Sequence, residues 1–198
     1  IATLSRKFAE VAKPLGVRVV DTRKTTPGYR ELEKYAVRTG GCHNHRYSLG
    51  EHVLIKDNHI AAAGSLTAAV QRVRDAAPHT AKIEVETKTL AEVREAVRVG
   101  AEVIMLDNMT PDQIRASVAA IAGAAIIEVS GGVRFETLRD FAVLGIDVIS
   151  IGALTHSAPS VDLSLTVPMP KPAKKPAAKK PATKKPAAKA KAKKRRAA

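Results

Sequence analysis

Tryptophan is absent from this 198-residue sequence, and Phe and Tyr occur three times each. Cysteine occurs once, at Cys42, so no intramolecular disulfide can form and a reducing compartment, the cytoplasm, is expected. No uninterrupted apolar stretch approaches the roughly 20 residues needed to cross a bilayer. Residue 1 does not begin a signal peptide either, so no membrane partner is expected. An initiator Met is also lacking. The first residues instead set Leu4, Phe8, Val11, Ala12 and Leu15 at helical spacing. The chain is therefore expected to start inside a helix and to be truncated.

Charge is present in plenty, but very unevenly. The net charge is +14, and residues 171–198 hold 11 Lys and 2 Arg with no acid. Residues 1–170 are left with 20 basic side chains against 19 acidic ones, a net +1. Beyond Lys171 there is only Lys, Arg, Pro, Ala and one Thr, which cannot bury enough apolar surface to fold. Two regions follow: a body, 1–170, and a disordered basic tail, 171–198. Such a tail binds polyanions by counterion release without sequence choice, so non-specific nucleic acid is its expected partner.

The body alternates short apolar strands with amphipathic helices. Strands are predicted at 17–21, 52–56, 82–86, 102–107, 125–130 and 147–152, and helices at about 30–39, 66–77, 90–99, 111–122 and 135–144. Thr89 with Glu92 and Thr110 with Gln113 read as capping boxes, the second with Pro111 at the first helical position. Gly100 and Gly145 sit where helices should stop. A weak repeat relates GAEVIMLD (100–107) to GIDVISIG (145–152), 45 residues apart, or two βα units. Regular βα alternation with apolar strands implies a parallel sheet covered by helices. Six strands are too few for an eight-unit barrel. The expected class is α/β, a partial parallel α/β barrel of six to seven strands, with an open doubly wound sheet as the alternative.

Every predicted strand ends in a polar group or a glycine turn. In chain order these are Asp21 with Arg23 and Lys24, Lys56, Glu86, Asp107, Ser130 with Gly131-Gly132, and Gly152. In a parallel barrel all of these ends meet on one face, where catalysis resides. Three cations gathered there require anionic substrate groups. Glu86 and Asp107 suit Mg²⁺ held through water, sugar hydroxyls, or positive charge developing on a sugar. VSGGV and IGALTHS offer backbone N–H groups with no Cβ in the way, as a phosphate cradle would, although a pair of tight turns has the same look. His43 and His45 in HNHR have metal-ligand chemistry but no evident third ligand, so a solvated loop is the simpler reading and zinc is not expected.

The stretches DTRKTTPGYRELEKYAVRTGGCHNHRYSLGEHVLIKDNHI, EVETKTLAE, IMLDN, VSGGV and IGALTHS closely resemble the quinolinate phosphoribosyltransferase family, from Ile1 to about Val167. The resemblance implies a type II phosphoribosyltransferase barrel. It also implies a reaction: quinolinate and phosphoribosyl pyrophosphate give nicotinate mononucleotide, pyrophosphate and CO₂ with Mg²⁺, in de novo NAD biosynthesis. It places Thr22, Arg23, His45, Arg46 and Lys56 in substrate binding, Arg23, His45, Arg46 and Lys56 on the quinolinate carboxylates. Lys24 lies nearer the phosphoribosyl pyrophosphate. Lys24, Glu86 and Asp107 are the implied catalytic set, with Glu86 and Asp107 facing ribose and metal. Ser130, Gly131, Gly132, Ile151, Gly152, Ala153 and His156 correspond to the phosphate loops. The family carries a further N-terminal domain that covers the barrel mouth of a partner subunit, which implies a homodimer or higher homo-oligomer. Against this stands a second reading, an inactive truncated barrel whose basic tail binds nucleic acid or another polyanion.

Overall fold

The computed structural model describes residues 1–169. The chain divides into a compact unit, Ile1–Ser160, and a second unit from Val161 onward. The described residues of the second unit form neither helix nor strand and expose Val161, Leu163, Leu165, Val167 and Met169. The predicted basic tail lies outside the described residues. No described helix is long and apolar enough to cross a membrane.

The compact unit is built of βα repeats. Helix α1 (Ala2–Ala12) and a 3₁₀ turn (Lys13–Leu15) lead into β1 (Arg18–Val20). There follow α2 (Arg30–Thr39), β2 (Val53–Ile55), α3 (Asp57–Ala63), α4 (Leu66–Ala76), β3 (Ile83–Thr87) and α5 (Leu90–Arg98). The remainder is β4 (Val103–Asp107), α6 (Pro111–Ile121), β5 (Ile126–Ser130), α7 (Leu138–Ala142), β6 (Val148–Ser150) and α8 (Ala153–His156). Both expected capping boxes are formed, at the starts of α5 and α6. Ser65 caps α4 by accepting the Ala68 N–H at 3.1 Å.

All six strands are parallel, in the order β1-β6-β5-β4-β3-β2. A single parallel bridge, Val20 to His43, adds the start of a seventh strand beside β1. Among the described residues β2 pairs only with β3, so the sheet is an open, partial barrel with a seam between β2 and the His43 segment. The two repeat acids have one shared task here. Glu102 Oε2 accepts the Ile83 N–H at 2.9 Å, and Asp147 Oδ2 accepts the Ile127 N–H at 2.8 Å. Each satisfies a free amide at the start of an adjoining strand.

Strand alternation sorts the side chains into two sets. Val85, Ile104, Leu106, Val129 and Ile149 are buried with Val93 and Ala96 of α5, Ile114 of α6 and Leu138 of α7 in one apolar core. Each such buried Val, Leu or Ile contributes about 1.5–3 kcal/mol. Helix α1 completes that core with Phe8, whose ring meets Phe135 edge-on at 5.3 Å. Gly40 lets α2 end against α1, since a Cβ there would stand 2.5 Å from Ser5 Cβ. Cys42 belongs to the same core, and burial pushes its thiol up to about 12, which makes it inert.

Candidate active site

The other set of strand residues faces the barrel interior, and it mixes apolar residues with the charged and hydroxyl side chains of the strands. Strand pairing lines them up in rows: Glu86 is registered with Met105 and Met105 with Glu128, while Asp107 is registered with Ser130 and Ser130 with Ser150. These residues line a cavity of about 390 Å³ at the C-terminal ends of the strands. Thr22, Arg23, Lys24, His45, Arg46 and Lys56 line it too. Nine of the residues expected from the sequence thus meet in one cavity. A larger cavity, about 1190 Å³, shares His45, Arg46 and Glu128 with it.

The Arg23-Lys24 stretch is held by its own hydroxyls and by its neighbours. Thr22 Oγ1 accepts the Lys24 N–H at 3.1 Å, Arg30 Nη2 reaches the Arg23 carbonyl at 3.1 Å, and Thr155 Oγ1 donates to the Lys24 carbonyl at 2.6 Å. Among the described residues Arg23 Nε is buried without a hydrogen-bond partner. Arg46 is also buried, and its charged form is disfavoured first by that burial and then by the nearby Arg23 charge. Two guanidiniums therefore repel each other across a cavity, one with an unfilled donor. Lys56 Nζ pairs with the Glu86 carboxylate.

Asp21 is at a strand end as expected, but it does not line the cavity. Fully buried, it accepts from Lys34 Nζ at 2.6 Å, from Asn44 Nδ2 at 2.6 Å and from the His45 N–H at 2.9 Å. It is the anchor that carries the 43–46 segment alongside β1. The glycine turns are formed: Gly131 and Gly132 take φ of 91° and 68°. Gly152 caps α8, and His156 Nε2 would lie 2.9 Å from a Cβ built on it. Ala153 opens α8. Ile151 points into the core, and its N–H bonds the Val20 carbonyl at 2.9 Å, so neither is turned to the cavity.

Beneath the cations lies a charged cluster absent from the sequence reading. His45 Nε2 stands 3.4 Å from Glu84 Oε2 and 3.5 Å from Glu128 Oε1, and His52 Nε2 lies 3.3 Å from Glu84 Oε2. Glu84 and Glu128 were discoverable by alternation, since each sits two residues before Glu86 or Ser130 in an otherwise apolar strand. An acid there must be paired. Burial opposes charge on His45, but the close Glu128 and Glu84 carboxylates override it and push the imidazole up to about 9. Burial likewise opposes charge on Glu84, and the two histidines override it, holding the carboxyl down at about 2. The Arg46 N–H donates to His45 Nδ1 at 2.8 Å, which works against a second ring proton. It also leaves the first proton on Nε2. His45, His52 and Glu84 place donor atoms within 4.8 Å of one another. A metal there would need the His45 Nε2 lone pair, so the cluster is better matched to a proton than to a metal.

The cluster sets a pH dependence. Stabilisation through His45 is complete below its ordinary 6.5 and is lost as pH rises through about 9. Stabilisation through Glu84 is complete above its ordinary 4.5 and is lost as pH falls through about 2. Resistance to urea is therefore expected to be greatest between about pH 4.5 and 6.5. His45→Gln should flatten the alkaline decline. A wild-type profile that is flat from pH 6.5 to 9.5 would show that the Arg46 N–H on Nδ1 keeps His45 uncharged in the folded protein.

For a divalent cation such as Mg²⁺, the fitting donors are the oxygens of Asp107, partly exposed and, among the described residues, engaged only by the Asn108 amide at 2.9 Å. Glu86 joins them only when Lys56 releases it. A hard cation that keeps several waters and shares substrate phosphates suits such an incomplete shell.

The family described as "Quinolinate phosphoribosyl transferase, C-terminal domain" matches residues 1–166. A probable nicotinate-nucleotide pyrophosphorylase [carboxylating] of Bacillus subtilis (strain 168) is 47% identical over 167 residues, covering 84% of this chain and 58% of its own. The Homo sapiens nicotinate-nucleotide pyrophosphorylase [carboxylating] is 40% identical over 182 residues, covering 86% of this chain and 61% of its own. The crystal structure of NadC from Streptococcus pyogenes superposes with a TM-score of 0.78 at 44% identity, over 84% of this chain and 58% of that one. The chain thus spans about three fifths of the length of the curated relatives it matches. Matched over its barrel from end to end, it belongs to the quinolinate phosphoribosyl transferase family and corresponds to that family's C-terminal domain.

Proposed function

We propose that this chain carries the catalytic barrel of a nicotinate-nucleotide pyrophosphorylase (carboxylating). It transfers the phosphoribosyl group of phosphoribosyl pyrophosphate to quinolinate, with loss of CO₂. The observation that carries the reading is the pair Arg23 and Arg46. One has a buried donor without a partner among the described residues, and the charge of the other is disfavoured first by burial and then by the first one's charge. A dianion between them satisfies the donor and removes the repulsion.

In this reading Arg23, Arg46 and Lys56 bind the two carboxylates, with His45 beside them. Together they orient the ring nitrogen toward the ribose before attack. Lys24 faces the pyrophosphate. Ser130, the amides of Gly131, Gly132, Gly152 and Ala153, and His156 receive phosphate oxygens. The bond from ribose C1 to pyrophosphate oxygen breaks as the bond from the ring nitrogen forms. Positive charge on the sugar is stabilised by Glu86 and Asp107. Asp107 would hold Mg²⁺, which when bound would neutralise charge on the departing pyrophosphate. The resulting pyridinium is an electron sink, so the adjacent carboxylate leaves as CO₂ and a proton takes its place. A homo-oligomer in a reducing cytoplasm is the form in which we expect the protein to act.

The test compares two acids. Nicotinate mononucleotide should form from quinolinate. Nicotinate, lacking one carboxylate, should react at least about tenfold more slowly, because a lost charge-assisted hydrogen bond costs about 1.5–3 kcal/mol. Comparable rates from both acids would refute the assignment of these cations to a dicarboxylate.

A further inference from the structure

Asn108 follows the Asp107 carboxylate at the end of β4, and it is one of two non-glycine residues described with positive φ, at 54°. The other, Ala122, ends α6 as a left-handed helix cap. Asn108 ends a strand, and Asn enters this conformation more readily than most residues. That explains how the conformation is tolerated and not what it achieves. Three contacts do. The Asn108 N–H donates to the Ser130 carbonyl at 2.8 Å, one step beyond the Asp107–Ser130 register pair. Its Nδ2 donates to Asp107 Oδ2 at 2.9 Å. Its carboxamide covers Gly131 so closely that a Cβ built there would stand 2.6 Å from Asn108 Cγ. One side chain therefore touches the carboxylate of β4 and occupies the space above the glycine turn of β5.

We propose that Asn108 is a positioning residue: its amide fixes the Asp107 carboxylate, and its side chain keys the β4 turn into the Gly131-Gly132 turn. The group facing ribose and metal and the turn facing phosphate are then held at one separation. The ligand named here rests on the function proposed above; the keying is a property of the fold.

Two measurements test it, both on the 198-residue chain. The first is a melting-temperature cycle of Asn108→Gly, Gly131→Ala and the double variant. Glycine at 108 keeps the positive φ without strain. Gly131→Ala is strained at φ 91° in either background, but its clash with the carboxamide exists only when Asn108 is present. Its melting-temperature loss should therefore be about halved in the Asn108→Gly background. Additive losses would overturn the keying. The second is calorimetric titration with phosphoribosyl pyrophosphate and Mg²⁺, and separately with quinolinate. Asn108→Gly should weaken phosphoribosyl pyrophosphate about tenfold or more and leave quinolinate within about twofold. Asn108→Asp keeps the shape but sets a second carboxylate against Asp107 in place of the donor, so it should lose more affinity than Asn108→Gly while retaining the coupling to Gly131→Ala. Wild-type affinity in both variants would overturn the positioning role. A wild-type chain that binds no phosphoribosyl pyrophosphate would refute the proposed function and not the keying, which the melting cycle decides by itself.

Discussion

Replacing Arg23 with methionine is expected to lower quinolinate affinity about 10- to 100-fold, the worth of one charge-assisted hydrogen bond lost from a dry site. The melting temperature should hold or rise. This opposite movement follows from the ligand-free geometry. Arg23 has a buried Nε with no partner, and its charge disfavours that of Arg46. Removing it relieves both penalties in the empty protein, as substitutions in strained sites commonly do. Arg23→Lys should recover little affinity, because an ammonium lacks the planar fork that grips a carboxylate. Calorimetry and a thermal melt on the same samples decide the matter. A fall in melting temperature with binding unchanged would make Arg23 a structural residue and remove the main support for the proposed function.

Asp21→Ala should cost about 3–5 kcal/mol, because it strands a buried ammonium. Lys34 is nearly sealed from solvent, and its Nζ donates to Asp21 and to the His45 carbonyl. A loss of that size takes a large share of a domain's usual 5–15 kcal/mol. Asp21→Ala with Lys34→Met should recover part of it, since apolar replacement of a whole buried pair is often tolerated. Recovery stays partial because Asn44 and the His45 amide also lose their acceptor. Urea unfolding measures each variant. A cost below about 1 kcal/mol would show that water reaches the pair.

The elements were legible in the sequence because local signals agreed. Each strand found is a short apolar run bounded by turn residues, and the boxes at Thr89 and Thr110 mark helix starts that the structure keeps within a residue. Helix α7 is shorter than its pattern, starting at Leu138 rather than about 135, because Thr137 Oγ1 and Arg134 close a turn ahead of it. Helices α3 and α8 are too short to show a period. The residues lining the cavity at strand ends were legible for a simpler reason: a parallel barrel collects them whatever its details. The Glu84–His45–Glu128 cluster was not, because it joins β3 and β5 to a loop that only folding brings inside. The direction of the Asp21 carboxylate was hidden for the same reason. Its partner is a lysine one helix away, and nothing in DTRK shows which way the carboxylate turns. Asn108 is visible as a letter in IMLDN, but its role depends on Gly131, 23 residues later.

The seam of the open barrel has a consequence for how a ligand would act on the whole sheet. On one lip stand Arg23 and Lys24 after β1 and His45 and Arg46 after the bridged segment; on the other stands Lys56 after β2. Glu86, Asp107 and Ser130 belong to the continuous wall between. The positive groups thus flank the one edge that, among the described residues, backbone hydrogen bonds leave unzipped. A dianion bound in the proposed way would link by charge the two lips that no strand pairing links.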